Sequence, residues 1–190
     1  MLQNPLIMEI LREPNPRLHQ LSEDVEVVDD EIVSIMDNML ATMYYAKGIG
    51  LAAAQVGILK KIIVIDIDKS KMDEGDGDNS NVEKLEYLHD GKPLFMINAK
   101  IINTSLEYSS YEEGCLSVPR VYADVIRPSK IKVKYLDYFG ENKELEVGNN
   151  LLSVCIQHEI DHTNGIVFID HLSKMKREFI LKKMIKINDM

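Results

Sequence analysis

The chain has 190 residues, enough to bury one good core and short enough that one domain, 1–190, is the default reading. Its formal net charge of −9 excludes a general nucleic-acid binder, and no apolar run approaches the length of a membrane span. Two cysteines, Cys115 and Cys155, are too few for a disulfide framework and point to a reducing compartment.

The first residues lack the charged and apolar regions of a secretory signal. From Leu6 to Leu21 the opening segment contains Glu13-Pro14-Asn15-Pro16-Arg17-Leu18. It reads as a turn rather than a helix, because proline fixes its own φ and restricts the residue before it. A helix follows. Asp29 or Asp30 supplies its cap, Glu31 suits its first turn, and Ile32, Ile35, Met36, Met39, Leu40 and Met43 recur at helical spacing. The methionines read as core filler.

Lys47-Gly48-Ile49-Gly50 stops that helix. The stretch Gly48-Ile49-Gly50-Leu51-Ala52-Ala53-Ala54-Gln55 superficially resembles a phosphate-cradling loop. It follows a helix rather than a strand and lacks the third glycine and the lysine, which excludes that reading. Paired glycines followed by small residues imply a backbone approached closely by another group, with Gln55 directing an amide into the same space.

Lys61–Ile67 is a β-branched strand. Residues 69–92 form a charged, glycine-containing insertion, predicted as a surface loop. A calcium loop started at Asp76 fails, because Asn81 stands where glycine is needed and Tyr87 where a bidentate glutamate is needed. Strands are predicted at Leu94–Asn98 and Ile101–Tyr108, with Tyr111–Pro119 between strands and an extended run at Val121–Ile126. Ile131–Leu136 alternates cleanly and turns through Tyr138-Phe139-Gly140-Glu141 into Glu144–Val147. Asn149 or Asn150 caps a helix that ends at Asn164-Gly165, and a short extended run over Ile166–Ile169 precedes a last helix, 173–188. In that helix Phe179, Ile180, Met184 and Ile187 are expected to pack inward while Lys182, Lys183 and Lys186 face out. Residues 172–190 hold six basic and two acidic side chains, +4, which leaves −13 for the rest. The predicted fold is α+β: mostly antiparallel β-sheets packed around a central helix, with an N-terminal and a C-terminal helix.

The central helix carries Gln157-His158-Glu159-Ile160-Asp161-His162. Four residues are a little over one turn, so His158 and His162 share a face and grip one metal ion. Glu159 lies about 100° round the axis, beside the ion rather than ligating it, where a carboxylate takes a proton from metal-bound water. Two imidazoles leave the coordination incomplete, and Cys115, in Glu113-Gly114-Cys115-Leu116-Ser117, is the candidate third ligand. Cys155, among Leu151, Leu152, Val154 and Ile156, reads as a buried structural thiol. His19, His89 and His171 are scattered singly and read as ordinary surface or satisfied histidines. By chemistry alone one cysteine and two histidines accept zinc, iron, nickel or cobalt.

Gly-Ile-Gly-Leu-Ala-Ala-x-Gln at 48–55, Glu-Gly-Cys-Leu-Ser at 113–117 and Gln-His-Glu-x-Asp-His at 157–162 resemble, in order, the three signature motifs of the peptide deformylases. The resemblance extends to Pro-Asn-Pro-Arg-Leu at 14–18, the first helix and the sheet; the 69–92 insertion is longer than the usual connection. It implies a metal-dependent hydrolase that removes the formyl group from N-formylmethionyl nascent peptides, with ferrous iron as the expected metal. Cys115, His158 and His162 match the ligands, with a fourth position left for water, and Glu159 matches the general base, which later serves as acid. Gln55 and the Leu116 N–H match the oxyanion donors. Ile49 and Gly50 match the segment that pairs with substrate as an added strand, and Gly114 matches a further substrate-binding position. Ile49, Tyr111, Leu151, Val154, Cys155 and His158 match the wall of the methionine pocket. Asp161 matches a position behind the ligand histidines, and Arg127 is expected to pair with Glu113 and fix the loop carrying Cys115.

Two other readings compete: a small zinc-type metallopeptidase acting on unformylated peptides, and a noncatalytic interaction module built on a structural metal. By resemblance the basic last helix is a candidate ribosome contact. No membrane and no sequence-specific nucleic acid are expected as partners. The family works in bacterial cytoplasm and in organelles with bacterial-type translation. The Asn/Asp/Lys-rich insertion and abundant isoleucine lean towards a plastid-type enzyme without its transit peptide.

Overall fold

Ile62-Ile63-Val64-Ile65 is apolar at every position, the pattern of a strand covered on both faces. In the computed structural model, which describes residues 5–67 and 92–188, that is its situation. Five antiparallel strands lie in the order β1-β2-β3-β6-β7: β1 (Gly50–Ala52), β2 (Ile62–Ile65), β3 (Leu94–Thr104), β6 (Ile131–Leu136) and β7 (Asn142–Val147). On one face Met36, Met39 and Met43 of α1 (Asp30–Tyr45) pack against Ile62, Val64, Phe95 and Ile97. On the other, Leu152, Ile156 and Ile160 of α2 (Leu151–Thr163) pack against Ile63, Ile65, Met96, Val133 and Tyr135. The α+β architecture expected from the sequence is the one observed. Residues 69–91 of the insertion, with His89 and the rejected calcium register, lie outside the described residues.

Eleven of the thirteen residues of α2 are buried, so this helix is wrapped on nearly all sides and its polar residues face protein rather than water. The Asn150 side chain accepts the Ser153 N–H at 2.9 Å and starts the helix, and Gly165 at φ +73° lets the chain turn away after its end. Asp29 caps α1 in the same way, through the Ile32 N–H at 3.0 Å.

The remaining strands, β4 (Tyr108–Cys115) and β5 (Val118–Pro128), form a two-stranded ribbon that delivers Cys115 to α2. The ladder holds from Tyr108↔Pro128 to Gly114↔Tyr122 and then shifts register at Cys115. This corrects the expectation that 111–119 lies between strands: the turn-forming residues there make a tight reversal over Leu116 and Ser117 instead of a long loop. β3 also runs unbroken through the predicted gap at Ala99-Lys100. Asn98, at φ +52°, occupies a bulge whose side chain bonds both the N–H and the C=O of Val25, so the polar interruption pins a neighbour without ending the strand. Pro16–His19 and Phe168–His171 are short 3-10 turns, the second taking the latter half of the extended run expected at Ile166–Ile169.

The last helix, α3 (Lys174–Asn188), docks on β5 through Ile180 and Met184, which meet Leu18, Val118, Val121, Val125 and Phe168. Phe179 does not join them. It is 71% exposed, because it lies one residue and about 100° off the line through Ile180, Met184 and Ile187. Lys182, Lys183 and Lys186 are exposed as expected.

Candidate metal centre

His158 and His162 stand on the inward face of α2 with ring centroids 5.0 Å apart. The end of β4 brings the Cys115 Sγ to 3.2 Å from the His162 Nε2, and the donor atoms of Cys115, His158 and His162 all lie within 4.8 Å of one another. A tetrahedral cation with bonds of about 2.3 Å to sulfur and about 2.1 Å to nitrogen needs donors roughly 3.5 Å apart. The trio therefore fits a single ion.

The ring of His158 is oriented from behind. Its Nδ1 donates to the Glu113 carboxylate at 2.8 Å, which turns the Nε2 to the Cys115 side. Glu113 is in turn gripped by Arg127, through Nε at 2.5 Å and Nη2 at 3.0 Å, and the Arg127 Nη1 donates to Asp161 at 2.8 Å. Burial alone would raise the Glu113 carboxyl. Hydrogen bonds from His158 and Arg127 and the charge of Arg127 override it and hold the group at about 2. Burial likewise opposes ionisation of Asp161, but His171, 2.8 Å away, and Arg127 hold its carboxyl below the ordinary range.

Burial and the neighbouring His158 push the His162 imidazole well below its usual value, so it is neutral and has a lone pair to offer. His158 behaves oppositely: burial would lower it, but contacts to Cys115 and Glu113 raise it well above its usual value. A cation bound by this nitrogen must displace that proton.

Glu159 sits beside the trio, 4% exposed, and its Oε2 makes no hydrogen bond among the described residues. Burial lifts its carboxyl to about 7 against the partial opposition of His158. Such a group is poised to exchange a proton near neutral pH. Gly50 faces it directly: a Cβ there would lie 2.4 Å from the Glu159 Oε1 and 2.8 Å from the Cys155 Sγ. That contact is why the chain carries glycine at position 50.

Gln55, on the 3-10 turn Ala53–Val56 that follows β1, reaches in from the other side. Its Oε1 accepts the Ala52 N–H at 2.8 Å, which turns the Nε2 towards the Cys115 Sγ, 3.4 Å away. A cleft of about 1190 Å³ opens onto these groups. Its walls include Ile49, Gly50, Tyr111, Gly114, Leu116, Leu151, Val154, Cys155, His158 and Glu159. Burial raises the Cys155 thiol well above its usual value, so it stays protonated and acts as apolar lining.

Three further participants lie outside the residues the sequence singles out. Phe168 stacks on His158 at 6.0 Å, His171 pairs with Asp161, and Ser117 lies 3.2 Å from the Gln55 amide nitrogen. Only for Ser117 was a signal available, its place beside Cys115 in the cysteine motif. His19 pairs with the buried Glu13 at 2.9 Å.

Fold and site together define a metal-dependent hydrolase of the His-Glu-x-x-His type. The polypeptide deformylase profile matches residues 7–178. A peptide deformylase of Phenylobacterium zucineum is 48% identical over 180 residues, covering 95% of this chain and 96% of its own. One from Pelagibacter ubique is 46% identical over 181 residues, with 95% of each chain covered. The crystal structure of the Ehrlichia chaffeensis peptide deformylase in complex with actinonin superposes with a TM-score of 0.84 at 38% identity, covering 97% of this chain and 99% of that one. The chain belongs to the polypeptide deformylase family. It is a hydrolase that removes the N-formyl group from newly made polypeptides, and neither the general metallopeptidase nor the noncatalytic reading is retained.

Proposed function

We propose that Cys115, His158 and His162 hold one divalent cation. Ferrous iron is the expected metal, and the same donors accept zinc, nickel or cobalt. When bound, such a cation supplies Lewis acidity to the formyl carbonyl and lowers the pKa of a coordinated water. Glu159 takes the proton from the attacking water and returns it to the departing methionine amine. The Gln55 amide and the Leu116 N–H donate to the oxygen of the tetrahedral intermediate as its charge develops. The methionine side chain enters the pocket walled by Ile49, Tyr111, Leu151, Val154, Cys155 and His158. The peptide backbone that follows pairs with Ile49 and Gly50 and passes Gly114. Glu113, Arg127 and Asp161 fix the orientation of the ligands.

The observation that carries this reading is a buried carboxylate, Glu159, with one oxygen unpartnered among the described residues, beside three donors drawn from positions up to 47 residues apart. Glu159→Ala tests it. Formate release from formyl-Met-Ala should fall roughly 100- to 10,000-fold while the bound cation is retained. Activity that survives the change overturns the mechanism.

The chain acts as one catalytic domain over residues 1–190. Its curated relatives include many bacterial proteins, which supports the cytoplasm of a bacterium as its place of work; the lean towards a plastid has only composition behind it. Among the described residues no helix is long and apolar enough to cross a membrane. The exposed lysines of α3 form a basic stripe suited to ribosomal RNA near the emerging substrate. Ribosome co-sedimentation that is indifferent to deletion of residues 174–190 would remove that contact. The cleft is also expected to take actinonin, the ligand of the Ehrlichia chaffeensis relative.

A further inference from the structure

A glutamine amide offers two N–H donors and one carbonyl acceptor in a single plane, so fixing both ends of that plane fixes where the remaining donor points. One end of the Gln55 amide is set by the Ala52 N–H at 2.8 Å on Oε1. The other end is 3.2 Å from the Ser117 hydroxyl oxygen, which accepts one of the two N–H groups on Nε2. The second N–H of Nε2 is turned to the Cys115 side, where the nearest acceptor is the Sγ at 3.4 Å. Sulfur is a weak acceptor, so it does not by itself hold the amide in place.

The spacing between Gln55 and Ser117 is also held from outside the cleft. The Leu11 N–H donates to the Gln55 carbonyl at 2.8 Å and the Glu13 N–H to the Ser117 carbonyl at 2.9 Å. These donors sit two residues apart on the opening segment, so one short stretch of backbone clips both partners. Ser117 is fully buried, at 0% exposure, and no bulk water reaches it to replace a lost hydroxyl. Its backbone N–H, 3.4 Å from the Cys115 Sγ, would survive substitution by any residue but proline. The hydroxyl is what serine specifically supplies.

We infer that Ser117 is a positioning residue for Gln55: its hydroxyl takes one amide N–H and thereby aims the other at the oxygen of the tetrahedral intermediate. The inference rests on the reading of Gln55 as an oxyanion donor. A donor used only in the transition state affects kcat and leaves KM alone. A residue that works solely through Gln55 has nothing left to do once Gln55 is gone.

The test is a double-mutant cycle on the metal-loaded enzyme, with formate release from formyl-Met-Ala-Ser expressed per bound cation. Gln55→Ala should lower kcat about 100-fold. Ser117→Ala should lower kcat roughly 10-fold at constant KM, and adding Ser117→Ala to Gln55→Ala should cost nothing more. If the two losses multiply, or if Ser117→Ala leaves kcat unchanged, Ser117 does not act through Gln55 and the assignment falls while Gln55 keeps its role. If Gln55→Ala is itself neutral, the reading of Gln55 and this one fall together. Thermal unfolding is measured on each variant. Should Ser117→Ala fail to fold, Ser117→Gly, which also deletes the hydroxyl, takes its place in the cycle.

Discussion

Glu113 accepts the Nδ1 proton of His158 at 2.8 Å while Phe168 stacks on the same ring at 6.0 Å, so the imidazole is fixed both in its plane and against tilting. A carboxylate held at about 2 is a permanent acceptor at any working pH. Once a cation displaces the second proton of His158, the Nε2 lone pair is therefore the one presented towards Cys115. Replacing Glu113 by glutamine keeps the shape but weakens this acceptor and allows the amide to flip. Cation affinity of Glu113→Gln, measured by competition with a chelator, should fall about 10- to 100-fold. An unchanged affinity would mean the ring is held by packing alone.

Arg127 is the shared partner of two carboxylates, the buried Glu113 and the half-buried Asp161. Removing it leaves Glu113 dependent on His158 and Asp161 on His171, with two like charges facing the gap. Arg127→Ala should destabilise the fold by on the order of 3–5 kcal/mol, read from urea unfolding. Arg127→Lys should recover little of it, because one ammonium cannot reproduce the two-pronged grip on Glu113 together with the bond to Asp161. A loss below about 1 kcal/mol would put this pair in the class of exposed ion pairs and contradict its burial.

The parts of this molecule that were legible in the sequence are those whose physics is local. His158 and His162 are four apart on a capped helix, so their shared face follows from helix geometry. Ile131–Leu136 alternates, and it is a strand with the predicted bounds. What escaped depends on contacts between distant segments. The Phe168 ring meets His158 only because the 3-10 turn after α2 folds back, and nothing near position 168 reports that. Asn98 looked like the end of a strand, yet its amide is consumed by Val25, 73 residues earlier. The apolar character of Phe179 predicts an inward position, but α3 uses a narrow apolar line and position 179 falls beside it. The paired glycines at 48 and 50 imply a close approach, and the structure supplies the groups that approach Gly50, Glu159 and Cys155.

That close approach makes Gly50→Ala informative. The added Cβ would meet the Glu159 Oε1 at 2.4 Å, well inside contact distance, so the carboxylate has to swing away. Overpacking of this kind costs about 1–3 kcal/mol in stability. A displaced general base costs more in rate, and kcat/KM for formyl-Met-Ala should fall about 100-fold with the cation still bound. Wild-type turnover in a folded Gly50→Ala protein would show that Glu159 has more room than the contact implies.

The metal-stripped protein should show a pH dependence of stability that belongs to Glu159. Burial is the main cause that raises this carboxyl from 4.5 to about 7, so between those values the folded chain keeps a proton that the unfolded chain releases. A group raised on folding contributes stability that is fully present below about pH 4.5 and is lost as pH rises through about 7. Across that window the contribution amounts to on the order of 3 kcal/mol. Urea unfolding of the stripped protein at pH 5 and pH 8 should therefore differ in the direction of greater stability at pH 5, once other titrating groups are subtracted with the Glu159→Gln variant, which has no such proton to lose. Restoring the cation should raise Tm more at pH 8 than at pH 5, because ligation by His158 displaces its proton and is favoured at the higher pH. If stripped wild type and stripped Glu159→Gln show the same pH profile, the carboxyl is not suppressed by burial, and its service as a base near neutrality needs another cause.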